Sequence, residues 1–244
     1  MTTATPPRRK WHLQRWLLVL AAGLLAYAGW TTYAFRSALK EAWALGWDLS
    51  YTDPVEAIRG NWKAAFKKET WTDGVIEMKL PTSEEFEQHL AIVHRLNPIK
   101  LGISSANTLQ DLSGLKALNR LQWFGLVDCA GLTNVDALSN FSDLERVNLA
   151  GGIGLSNVDA LKNLYALRYV GLFGCTGLTN VDALKNLASL LVLDLTGCTR
   201  LTNVDALKNL TALRDVYLTG CTGLTKESVA SLKAALPNTQ IIEP

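Results

Sequence analysis

The sequence predicts an α/β solenoid: a short curved parallel β-sheet with 3₁₀ or short α-helices on its convex side, preceded by a helical neck and a single transmembrane helix. Three observations carry this expectation. The pentapeptide NVDAL starts at Asn134, Asn157, Asn180 and Asn203, always 23 residues apart. Cysteine keeps the same interval at Cys129, Cys175, Cys198 and Cys221, with Gly152 in the one missing slot and Ala106 one period earlier. Near the start, residues 16–35 form an uncharged, strongly apolar run.

The chain has 244 residues, 24 basic and 22 acidic, and 48% of them are apolar, so it can bury a substantial core. The charge is uneven. Residues 1–36 hold Arg8, Arg9, Lys10, Arg15 and Arg36 with no acid, which leaves the rest at a net charge of −3. A nucleic-acid binder concentrates basic residues on its folded domain, and here they flank an apolar segment instead. No nucleic acid is expected as a partner.

From Trp16 to Phe35 the segment WLLVLAAGLLAYAGWTTYAF is, as a helix, long enough to cross roughly 30 Å of hydrocarbon. Trp16, Trp30 and Tyr33 lie near its ends, where amphipathic rings favour the membrane boundary. Four basic residues precede it, and Arg36 and Lys40 follow with Glu41 partly offsetting them. The positive-inside bias then makes residues 1–15 a basic cytoplasmic N-terminus and 16–35 a signal anchor, with the repeats on the exported, periplasmic or extracellular side. Ala26-Tyr27-Ala28 before Gly29 also reads as a signal-cleavage site, which would release a secreted protein. Both readings export the repeats.

Residues 36–94 read as a helical neck and N-terminal cap. Asp53-Pro54 with Glu56 opens a helix that sets Val55, Ile58, Trp62 and Phe66 on one face, and Trp43, Trp47 and Trp71 make the neck tryptophan-rich. A helix lying at the lipid surface is the alternative for this stretch. Thr82-Ser83-Glu84-Glu85 has the spacing of a capping box and starts a second helix, with Phe86, Leu90, Val93 and Leu96 on one side, that stops at Asn97-Pro98.

Six units of about 23 residues then fill residues 95–236, starting near 95, 118, 141, 164, 187 and 210. In one of them Leu187, Leu190, Leu193, Leu195, Cys198, Leu201, Val204 and Leu207 recur in slots that the other units fill with matching apolar side chains. The alternation at Leu193 and Leu195 is that of a strand with one buried face, and VDALKN has a helical period. A lone unit cannot bury enough surface to order itself, so the array needs stacking and caps. The last unit exchanges NVDAL for KESVASLKAALPN, an amphipathic helix stopped by Pro237, and residues 237–244 hold a final strand at Gln240 to Ile242. With a cap at each end the array reads as complete.

The pattern L-x-x-L-x-x-L-x-L-x-x-C followed by LTNVDAL resembles the leucine-rich repeat family. The cysteine slot is similar to its cysteine-containing subclass, and LTNVDALKNL to the convex segments of bacterial internalin-type repeats. The resemblance implies a solenoid that recognises another protein through its concave sheet, without enzymatic activity or a cofactor.

The residues that could carry chemistry have structural explanations. The cysteine slot also accepts alanine and glycine, and parallel side-chain vectors in stacked units oppose disulfides, so free core thiols are expected. Asp136, Asp159, Asp182 and Asp205 recur as calcium ligands would, yet each stands where an N-cap is needed. His12, His89 and His94 lack the spacing of a metal pair and have no nucleophile and orienting acid beside them in sequence. No metal site is expected.

The outward positions of the strands remain. They bring together Trp123, Tyr169, Phe173 and Tyr217 with Arg146, Arg168, Arg214 and Asp194, and aromatic and arginine clusters are where interface energy concentrates. A protein partner is expected there; a glycan or other envelope component stays open. In the alternative structural reading the repeats are a spacer or self-association module and the tryptophan-rich neck binds.

Overall fold

A computed structural model of the chain describes residues 37, 41, 48–50, 75–79, 83–104 and 108–243. The anchor segment 16–35, the Asp53 helix and Thr82 of the capping box lie outside them. Among the described residues no helix is long and apolar enough to cross a membrane.

The described strands form one sheet in chain order. β1 (Asp48–Ser50) pairs antiparallel with β2 (Val75–Lys79), and every later pair is parallel. The helix α1 (Ser83–Leu96) follows β2, and then come β3 (Lys100–Ser104), β4 (Trp123–Val127), β5 (Arg146–Ala150), β6 (Tyr169–Gly171), β7 (Val192–Asp194) and β8 (Asp215–Tyr217). The helix α2 (Lys226–Ala235) and β9 (Gln240–Ile242) complete the order. From β3 to β8 each residue pairs with the one 23 later, as at Lys100, Trp123, Arg146, Tyr169, Val192 and Asp215. The chain here folds as a solenoid of stacked 23-residue units.

The N-terminal region departs from expectation. Ser37 and Glu41 are helical, but 48–50 and 75–79 are strands, so at these two places the stretch expected as a helical neck extends the sheet. β2 pairs with β3 at an offset of 25, as β8 does with β9. At each end an α-helix replaces the short convex turn, α1 against the first turn and α2 against the last. In α1, Leu90, Val93 and Leu96 are buried as expected. An ion pair from Arg95 of α1 to Glu41, which also accepts from Ser37 Oγ at 2.9 Å, ties the early helical residues to this cap.

The convex side consists of 3₁₀ turns, η1 (Ser113–Ala117), η2 (Asp136–Asn140), η3 (Asp159–Leu161), η4 (Asp182–Leu184) and η5 (Asp205–Leu207). The sequence leaves 3₁₀ and α open, and a period of three decides between them. Leu172, Cys175, Leu178, Val181, Leu184, Leu187, Leu190 and Leu193 follow at intervals of three and are fully buried. Leu184, Leu187 and Leu190 each donate their N–H to the residue three back, at 2.9, 3.0 and 2.9 Å. Three residues per turn is the 3₁₀ repeat, so the convex turn holds this interval while keeping its apolar side chains in the core. The single step of two, Leu193 to Leu195, is the strand.

The N-caps differ from expectation. The residues before η2 to η5 are Val135, Val158, Val181 and Val204, and none gives a side-chain cap. Asn134, Asn157, Asn180 and Asn203 take that role: each Oδ1 accepts the N–H of the aspartate two residues on, at 2.6, 3.1, 3.2 and 2.6 Å. The aspartates are capped residues within the turn, because an Asx turn reaches forward two positions. Lys208 pairs with Asp205 at 2.7 Å.

Candidate functional site

On β4 to β8, alternate residues point to opposite faces. Phe124, Leu126, Val147, Leu149, Val170, Leu193 and Val216 are buried beneath the sheet, which leaves Trp123, Arg146, Tyr169 and Asp215 above it, with Asn148, Asp194 and Tyr217 two residues further along their strands. Arg168 and Arg214 lie one residue before their strands and are exposed. Of the expected site residues, Trp123, Arg146, Tyr169, Asp194 and Tyr217 therefore share one face, whereas Arg168 and Arg214 flank it at the strand starts and Phe173 lies beyond the end of β6.

Two of the aromatic side chains lie down on the sheet. A Cβ added at Gly125 would stand 2.7 Å from Cη2 of Trp123, and one at Gly171 would stand 3.0 Å from the Tyr169 hydroxyl. Both rings therefore cover the glycine two residues ahead on their own strand, and both are half-buried. Glycine in a strand offers a ring this close approach. Packing against the strand accounts for the inner side of each ring and leaves the outer side uncovered. Tyr217 and Phe173 are 36% and 54% exposed, so they carry apolar surface into solvent.

Electrostatics draw the centre of this face together. Burial pushes the Tyr169 phenol above its ordinary range; the Asp194 carboxylate and Tyr217 add to the effect, and Arg146 opposes it. Asp194 Oδ1 accepts the Thr196 N–H at 2.9 Å, and Asn148 Oδ1 accepts that of Ala150 at 3.1 Å. These bonds fix both side chains and leave the Asn148 amide donor and the second Asp194 oxygen outward. Arg146, Arg168 and Arg214 make no ion pair or side-chain hydrogen bond among the described residues.

A second apolar patch borders the ends of the strands. Val127, Ala150 and Phe173 follow in register, and Ile153, 52% exposed, stands just beyond the turn. Ile153 escapes the sequence reading because it belongs to a loop slot that holds threonine at Thr176, Thr199 and Thr222. The turn itself needs a left-handed residue: Gly151, Gly174, Gly197 and Gly220 take φ of 76°, 70°, 76° and 75°, and Asp128 fills the same slot at 56°.

The cysteines stand in the core below this edge, all buried and none in a disulfide. Their slot does more than admit a small side chain. Cys175, Cys198 and Cys221 donate their thiols to the carbonyls of Leu149, Leu172 and Leu195 in the preceding unit, at 3.3, 3.2 and 3.0 Å. Each carbonyl also takes the N–H of Gly152, Cys175 or Cys198 in its own unit. Among the described residues no group of three or more His, Cys, Asp or Glu side chains is placed to hold a metal ion. His94 Nε2 lies 2.7 Å from the Gly114 carbonyl and joins the cap helix to the first convex turn.

No protein-family profile matches the chain, and no curated protein matches it in sequence. Solved structures do. An internalin (inlF) from Listeria monocytogenes is 13% identical over 62% of this chain and 49% of its own length, with a TM-score of 0.45. The leucine-rich repeat domain of the type III effector XopL is 18% identical over 100% of this chain and 97% of its own, with a TM-score of 0.48. An internalin C2 (inlC2) from Listeria monocytogenes is 18% identical over 86% and 91%, with a TM-score of 0.42. The chain thus spans about half the length of the first of these.

Proposed function

We propose that this chain is a membrane-anchored, exported recognition protein that binds another protein on the concave face of its sheet and does no chemistry on it. The observation that carries the reading is the face itself: Trp123, Tyr169 and Tyr217 share it with Arg146, while Arg168 and Arg214 flank it at the strand starts, and none of the three arginines has an ion-pair partner among the described residues. The outer sides of these rings stay toward water, and interfaces concentrate their energy in aromatic and arginine side chains. Phe173 and Asp194 extend the site toward the strand ends. The anchored topology rests on the apolar run 16–35 and the basic excess before it.

The test is covalent capture in native membranes followed by purification of the chain. With Trp123→Ala and Tyr169→Ala combined, the captured protein should be lost while the variant still folds; retention of the same protein at unchanged yield refutes the concave site. Protease added to intact and permeabilised cells checks topology. Cleavage within residues 108–243 without permeabilising the cytoplasmic membrane is the expected result.

A further inference from the structure

On the assumption that the concave face binds a protein, its central row names the shape of the bound segment. Across the sheet this row consists of Gly125 on β4, Asn148 on β5, Gly171 on β6, Asp194 on β7 and Tyr217 on β8. The ring of Trp123 covers Gly125 and that of Tyr169 covers Gly171. Aromatic surface therefore recurs on every second strand, with an amide and a carboxylate between. Strands lie about 4.8 Å apart, so the aromatic positions repeat at intervals of about 9.6 Å.

We infer that this row binds a proline-rich segment in the polyproline II conformation, lying across the strands. Such a helix advances about 3.1 Å per residue with three residues per turn, so one edge recurs at intervals of about 9.3 Å, matching the aromatic repeat. An extended β-segment repeats its face after two residues, about 6.7 Å, and falls out of step by the second aromatic. An α-helix lying on the row offers no free carbonyls in its interior, because its backbone is bonded to itself. The row is rich in donors without partners among the described residues: Trp123 Nε1, Asn148 Nδ2 and the hydroxyls of Tyr169 and Tyr217. Polyproline II leaves all its carbonyls free to accept from them, and proline rings pack on flat aromatic faces. Arg146 pairs across the strands with both Trp123 and Tyr169 and lies two strands from the Asp194 carboxylate, so at the β4–β5 end the face favours an acidic residue next to the prolines.

The experiment uses the full chain in detergent micelles and titrates it with decaproline, a decaproline carrying a central glutamate, and a glycine-serine decapeptide that lacks the conformation. Both proline peptides should bind, the glutamate form more tightly, and the flexible control should not. Trp123→Ala should weaken binding about tenfold. Tyr169→Phe and Tyr217→Phe, which keep the rings and remove only the donors, should weaken it about threefold each at an unchanged melting temperature. The inference is overturned if neither proline peptide binds, if the control binds equally, or if a β-linked oligosaccharide binds in their place. If the captured protein depends on Trp123 and Tyr169 but decaproline neither binds nor competes, concave recognition stands and the polyproline II segment does not.

Discussion

At Cys175, Cys198 and Cys221 the repeat selects a residue for its donor as well as its size. The Leu149, Leu172 and Leu195 carbonyls each have two lone pairs, and the backbone N–H of the same unit uses one. The thiol of the next unit takes the other and stitches neighbouring units together below the sheet. Burial pushes the Cys175 and Cys221 thiols from an ordinary 9.0 up to about 11, and it raises Cys198 further. In the unfolded chain these groups lose their protons first. Above pH 9 the native state therefore binds more protons than the unfolded state, and stability falls as pH rises toward about 11. Denaturant midpoints measured at pH 8 and pH 10.5 should differ accordingly, and in a variant with all three cysteines changed to alanine this part of the difference should vanish. The three thiols should resist iodoacetamide in the native protein at pH 8 and react once it is unfolded.

At the scale of the element, the convex turn depends on its asparagine. Asn203 Oδ1 holds the Asp205 N–H, and the turn then continues through bonds between residues three apart. Asn203→Ala should cost about 1 kcal/mol in urea denaturation, as loss of a cap does. Asp205→Ala removes only an exposed ion pair with Lys208 and should cost less than half as much. Equal losses would return the capping role to the aspartate. The two are hard to separate in the sequence, since NVDAL recurs as a block and both residues are good caps.

At the scale of the whole molecule, stability is a chain of neighbour contacts with distinct ends. Deleting residues 164–186 removes one 23-residue period and rejoins equivalent positions, so the shortened chain should still unfold in one transition at a lower denaturant midpoint. Deleting 225–243 is different. It strips away α2, whose Val229 and Leu232 are buried with Leu236 just beyond, together with β9, leaving Val216 and Leu218 at an open end. That chain should aggregate, as read by light scattering. Recovery of a soluble, cooperative protein would show that the last unit needs no cap.

Much of this was legible in the 23-residue interval. It places β3 to β8, the buried leucines and the buried cysteines, because a period repeated in register leaves one way to stack the units. It also places Trp123, Arg146, Tyr169 and Tyr217 on one face, since strand alternation is strict. The ends were less legible: β1 and β2 lie in a stretch whose tryptophans and helical spacing point to a neck, and a strand of three to five residues there has no period to reveal it. Tertiary structure alone decided that the Trp123 and Tyr169 rings lie across Gly125 and Gly171, and that a thiol in one unit reaches a carbonyl in the one before. A repeated sequence determines where each backbone passes, because its hydrogen bonds and apolar periods are local or recur at fixed distance. Which way a side chain lies on that backbone depends on the space its neighbours leave, and that space exists only once the strands are side by side.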